Sequence, residues 1–282
     1  MNQPCATRIF EGEILVDELN EEDRSALANA LAVLERPSLA ARLGNIVGKP
    51  VAFFGRVLPP SMVRMAQKAT EVALTASLKL VLSDRVPRGG DKTGVWHKVL
   101  AATSGAMGGT FGMTGLAVEL PISTAIILHA ITEIAHEQGE DLGDPDTLFA
   151  CLEVFALADL SHEHSLGWAD YCAVRRSLTG SVAEASRYVG QRVVAEETAP
   201  ALARIVSIIA SRFGVAVSQK FSAQAIPIIG LLSGAAINAL FMEHFQSMAR
   251  VHFTMRRLER TYGKDRVAVY CDEMRLSPVG DR

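Results

Sequence analysis

Apolar positions recur at helical spacing along most of the chain. After Asn20-Glu21-Glu22-Asp23, an acidic start suited to the positive end of a helix, Leu27, Ala30, Leu31 and Leu34 share one face until Pro37 ends the run. Pro59-Pro60-Ser61 reads as a break followed by an N-cap. The helix expected beyond it runs to about Leu82, with Met65, Ala69, Val72, Ala73, Ala76 and Leu80 as its apolar stripe and Arg64, Lys68 and Lys79 off that stripe. Val86–Gly90 reads as a loop. Pro121 is expected in the first turn of a helix reaching Gln138, with Gly139 as its stop. Asp144-Pro145-Asp146 is a second cap with proline at the first helical position. Further helices are expected over 145–160, 166–192 and 200–224, and a last long one from near Pro227 to Tyr262-Gly263. No sustained alternation bounded by hairpin turns occurs, so the pattern predicts an all-α, multi-helix bundle. Residues 1–19 are expected to be a tail, 20–263 the helical domain, and 264–282 a C-terminal helix or tail.

One stretch departs from this pattern. SGAMGGTFGMTG (104–115) holds five glycines and lies in an uncharged segment, Val99–Val118, that ends at Glu119-Leu120-Pro121. Phosphate binding is excluded by pattern: no Gly-Lys-Ser/Thr follows the loop, no strand precedes it, and no GxGxxG spacing occurs. Packing suits the glycines better. Gly105 and Gly109 are four apart, as are Gly108 and Gly112, and Gly230 and Gly234 repeat the device, with Asn238 next on the same face. Small residues at that spacing let helix backbones approach closely. The expected architecture is therefore a bundle with glycine-rich, close-packed central helices. Their small faces meet each other, lipid, or a second copy of the chain in a homo-oligomer.

Composition adds two constraints. Across 282 residues, 49% are hydrophobic and 21% charged, with a mean hydropathy of +0.20, more apolar than most soluble domains and short of a polytopic membrane protein. Two segments reach membrane length without charge, Val99–Val118 and Ala225–Met242; glycine weakens the first, and Pro227 and Asn238 interrupt the second. The start of the chain lacks a basic region followed by an apolar one, and four scattered cysteines show no CxxC, which together suggest reduced thiols in the cytoplasm. Net charge is −3 but uneven: Arg36 to Lys98 carries eleven basic and three acidic residues, so that region is +8 and the remainder −11. A basic face for an anionic partner is the consequence, with Arg56, Arg64, Lys68 and Lys79 as candidate lipid contacts. Nucleic acid is not expected, because the basic region lacks interleaved aromatics and the total charge is negative.

Candidate chemistry is thin. His129, Glu133 and His136 share one face of the Pro121 helix, and Glu133-x-x-His136 is half of the motif used by carboxylate-bridged di-iron sites. A second such motif is missing, and His162-Glu163-His164 reads as an exposed turn, so neither a metal nor a cofactor is expected. HExxH and GxSxG are absent, since Ser233 is misplaced within Gly230–Gly234. A polar pocket of Glu119, Glu133, His129 and Asn238 is the arrangement an enzyme would need.

GGTFGMTGLAVELPISTAIILHAITEIAHEQGEDLGDPDTLFACLEVFAL (108–157) and RFGVAVSQKFSAQAIPIIGLLSGAAINALFMEHFQSMARVHFTMRRLERTYG (212–263) resemble the EcsC family of bacterial proteins. The carriers are the glycine segment with its Glu-Leu-Pro, the Gly-Glu-Asp-Leu turn, Leu152-Glu153-Val154-Phe155, and the Pro-x-x-Gly-x-x-x-Gly run. The resemblance covers about residues 20–263. It implies association with membranes or lipids, and some members carry a peptidase label; basic residues are expected in the family where His129 and His136 stand here. The resulting expectation is a non-enzymatic helical protein, cytoplasmic and peripheral to the inner membrane, that meets anionic lipid or a membrane transporter. The alternatives are a hydrolase-type or metal-dependent enzyme using Glu119 and Glu133 with His129 and His136, and a protein–protein adaptor.

Overall fold

The computed structural model describes residues 19–48, 64, 67, 68, 70–75, 112–157, 167–190, 199–224 and 231–276. Its helices are α1 (Glu21–Leu34), α2 (Leu39–Val47), α3 (Gly112–Glu137), α4 (Pro145–Leu157), α5 (Trp168–Gly190), α6 (Ala199–Gln224), α7 (Leu231–Tyr262) and α8 (Lys264–Leu276), and residues 70–75 are also helical. No strand occurs among the described residues, so the fold is all-α as the pattern predicted.

Local signals set the helix ends. Asn20 caps α1 by accepting the Asp23 backbone N–H at 2.7 Å, and Leu27, Ala30, Leu31 and Leu34 are buried on the expected face. Gly139 adopts φ +77°, and the Gly139 and Glu140 N–H groups donate to His136 O and Ala135 O, closing α3 in the left-handed turn that glycine permits. Asp144 caps α4 by accepting the Asp146 N–H at 3.0 Å, and Pro145 is the first helical residue. Gly263, at φ +89°, ends α7 and lets α8 start at once.

Two expectations are corrected. Pro121 does not open a helix: α3 is already helical at Gly112 and continues through Pro121. An interior proline lacks a donor and costs about 3 kcal/mol, but α3 lies along both α7 and α4, and tertiary packing outweighs propensity there. The stripe drawn for the basic helix is also rotated. Thr70, Ala73 and Leu74 are buried, while Val72 is 59% exposed. The cause is a close contact: a Cβ placed on Gly214 of α6 would stand 2.9 Å from Gln67 Cγ and 3.4 Å from Gln67 Cα. Seating Gln67 there turns the row Gln67, Thr70, Leu74 inward and Val72 outward. Ser207 of α6 also donates to Glu71 at 3.4 Å.

Glycine thus serves close helix approach at Gly214, a position the sequence reading passed over. Gly112 and Gly234 lie within α3 and α7; Gly105, Gly109 and Gly230 fall outside the described residues. Gly214→Ala is expected to lower stability, though less than a larger residue, because a Cβ 2.9 Å from Gln67 Cγ forces the two helices to shift and the gain in helix propensity only partly offsets this. Gly214→Leu must separate the helices and should cost about 1–3 kcal/mol. Thermal melts of the pair check this, and a tolerated leucine would contradict the contact.

At the centre, α4 is buried from Thr147 to Leu157 on every side, wrapped by α3, α5, α6 and α7. Such a helix shows no amphipathic stripe because none of its faces meets water. Phe155 of α4, Phe213 of α6, and Phe241 and Phe245 of α7 form an aromatic cluster with ring centroids 4.7 Å (155–213), 5.5 Å (155–245), 5.3 Å (213–245) and 5.0 Å (241–245) apart. The second half of α7 is not a solvated end. Val251, Phe253, Met255 and Leu258 are buried, and Arg256 and Arg257 reach Asp146 of α4 and Asp23 of α1.

Candidate functional site: a buried polar joint

Charge is concentrated where α7 passes the ends of its neighbours. Glu140, in the turn between α3 and α4, is buried to 6% exposure and accepts from Arg256 at 3.2 Å through each oxygen, from Arg260 at 2.9 Å, and from Thr147 at 3.2 Å. Burial raises its carboxyl, but the hydrogen bonds and charges of Arg256 and Arg260 outweigh that and hold it below its ordinary value. Asp23 of α1 is similar, accepting from Arg257 at 2.6 Å and from the Tyr262 hydroxyl at 2.8 Å. Burial raises its pKa, and the Tyr262 and Arg257 bonds bring the net value down.

Deeper in, three helices meet through three polar side chains. Glu153 sits midway along α4 at 7% exposure, and Tyr171 of α5 and His252 of α7 are fully buried. The Tyr171 hydroxyl is 3.2 Å from His252 Nδ1, and His252 Nε2 is 3.4 Å from Glu153 Oε2. Burial pushes the Glu153 carboxyl up to about 7, against the pull of Arg175 and Arg256. Burial also holds His252 well below its ordinary range, reinforced by the charges of Arg175 and Arg256. The pair is therefore not an ordinary ion pair: both groups favour their neutral forms. Arg175 lies over the Tyr171 ring, 5.4 Å from its centroid, and grips Glu259 with two bonds of 2.5 and 2.9 Å. Trp168 stacks on Tyr171 at 5.6 Å.

The candidates picked from sequence lie elsewhere. His129 and Glu133 pair at 3.2 Å on the surface of α3, with Glu133 more than half exposed, and His136 is exposed near its end. Asn238 is half-buried in α7, and Glu119 lies in α3. Among the described residues no three His, Cys, Asp or Glu side chains form a metal-holding group. Arg64 and Lys68 are exposed; Arg56, Lys79 and the His162–His164 turn fall outside the described residues. Arg36 and Arg42, counted in the basic region, both turn onto Glu243 of α7, and the cleft beside them, lined by Val33, His244, Ser247 and Met248 among others, encloses ≈ 20 Å³. That is room for a water, not a substrate.

The joint of Glu153, His252, Tyr171, Arg175 and Glu259 was missed from sequence. Its one local signal is Glu153, the only charged residue between Asp146 and Asp159 in an otherwise apolar run. Beside the joint, Cys151 is pushed up to about 12 by burial, which leaves it an inert thiol.

The sequence pattern of the EcsC protein family matches residues 37–258, most of the chain. The chain belongs to the EcsC family. The matched range takes in α2 to α6, α7 as far as Leu258, and every residue of the joint except Glu259, so the joint is built almost wholly from EcsC sequence. No curated protein and no solved structure matches the chain.

Proposed function

We propose that this EcsC protein is a non-enzymatic helical scaffold that rests on the cytoplasmic face of a membrane and meets anionic lipid. The observation that carries this reading is the exposed row Arg64, Lys68 and Val72 on the segment that packs against Gly214 of α6. Arg64 and Lys68 are exposed there, Val72 is 59% and Val215 37% exposed, and the apolar helix beneath them, Leu202–Lys220, has only 44% of its membrane-length window buried in the body. Cations beside exposed aliphatic side chains suit the headgroup boundary of a bilayer. Each basic residue near an anionic surface contributes about 1 kcal/mol, screened by salt. Arg36 and Arg42 contribute less, because Glu243 already answers them.

Flotation with vesicles tests the reading. Acidic vesicles should recover the protein at low salt and lose it at high salt, and the R64E/K68E double substitution should abolish recovery. Equal recovery with neutral vesicles removes the electrostatic part. Recovery only from native membranes, lost after protease treatment of those membranes, points instead to a membrane protein such as a transporter as the partner.

A further inference from the structure

The joint of α4, α5 and α7 carries one buried atom whose state decides its hydrogen bonding. His252 Nε2 is fully buried and makes no hydrogen bond, although Glu153 Oε2 stands 3.4 Å away. His252 Nδ1 faces the Tyr171 hydroxyl at 3.2 Å. A buried nitrogen left unsatisfied is costly, and a proton placed between the two facing atoms satisfies it from either side. We propose that Glu153 and His252 hold one proton between them, and that its departure reverses the Tyr171–His252 hydrogen bond, making the joint a proton-operated tautomer switch.

The two states follow from the atoms present. With the proton, Glu153 Oε2–H donates to His252 Nε2, so the neutral ring carries its own hydrogen on Nδ1 and donates to the Tyr171 oxygen. Without it, the Glu153 carboxylate accepts from Nε2–H, and Nδ1, now bare, accepts from the Tyr171 hydroxyl. One proton leaves the protein, one ring hydrogen changes nitrogen, and the Tyr171 hydroxyl rotates from acceptor to donor. In the acid state the Tyr171 hydroxyl hydrogen is released from the joint; in the alkaline state it binds α5 to α7.

The surrounding charges place the proton on the Glu153 side. From α5, Arg175 bears on both groups; from α7, Arg256 bears on both and Glu259 on Glu153; Asp146 at the start of α4 bears on Glu153. Tyr171 of α5, facing His252 Nδ1, completes the set. Two guanidinium groups oppose an imidazolium at His252, while burial favours the neutral acid at Glu153 up to about 7. Folding therefore moves a proton from histidine to glutamate. Between the ordinary values, 4.5 for the acid and 6.5 for the imidazole, the unfolded chain carries one proton on His252 and the folded chain one on Glu153. The pair leaves stability flat across that window. Below 4.5 the unfolded chain gains a second proton that the folded joint resists, so stability falls there with acid.

Long-range proton–nitrogen spectra of the histidine rings in the ¹⁵N-labelled full chain test the switch, with His252 assigned by His252→Gln. On the acid side of a midpoint near 7 the ring should be the neutral Nδ1–H tautomer, and on the alkaline side the neutral Nε2–H tautomer. Glu153→Gln, whose amide donates to Nε2 at every pH, should hold the Nδ1–H form throughout. A single tautomer on both sides of neutrality in the unaltered protein overturns the proposal, as does an imidazolium signal just below the midpoint. If the glutamine variant does not fold, the titration of the unaltered protein decides alone.

Discussion

Arg175→Ala is expected to lower stability by about 3–5 kcal/mol, the cost of leaving a buried charge without its partner. Arg175 is 20% and Glu259 12% exposed at the side chain, and the two share a forked pair of bonds. Removing the guanidinium strands the Glu259 carboxylate against α5, takes a cation from the Tyr171 ring, and deletes one of the charges that keep His252 neutral. Replacing both partners by methionine should be far milder, because no charge is then left behind. Chemical denaturation of the single and double variants reads the difference as a shift in midpoint at constant slope. Equal losses in the two variants would show that packing, not stranded charge, sets the cost.

Phe155→Ala is expected to cost a similar amount, about 3–5 kcal/mol, for a different reason. The Phe155 ring is fully buried in the helix that touches α3, α5, α6 and α7, and it contacts Phe213 and Phe245 directly. Truncation opens a cavity that the three other rings of the cluster cannot fill without leaving one another. Phe155→Leu keeps most of the volume and should lose less. A loss under about 1 kcal/mol for alanine would mean that α4 is not the centre of the bundle.

Helix ends were legible because their causes are local. Asn20, Gly139, Asp144-Pro145 and Gly263 act through backbone groups within a few residues, so each can be read in isolation. The inward face of α1 was legible as a stripe. Pro121 misled because the penalty for an interior proline is local while the packing that absorbs it comes from α7 and α4. Val72 misled because Gly214, a residue more than a hundred positions away, sets the rotation of its helix. The joint was illegible for the same reason. Arg175 and Glu259 are 84 residues apart and Tyr171 and His252 81, and spacing along one helix cannot name a partner on another. His129, Glu133 and His136 drew attention because they lie close in sequence, yet their shared face of α3 is an outer one.

The basic face on α6 is the central claim, and amide hydrogen exchange of the full chain measures it most directly. In the presence of anionic vesicles, exchange should slow across residues 64–75 and the outward side of α6, return to its free rate at high salt, and stay unchanged in α1 and α8. Unchanged exchange at 64–75 in protein recovered with vesicles, or slowing confined to α1 and α8, would contradict the account.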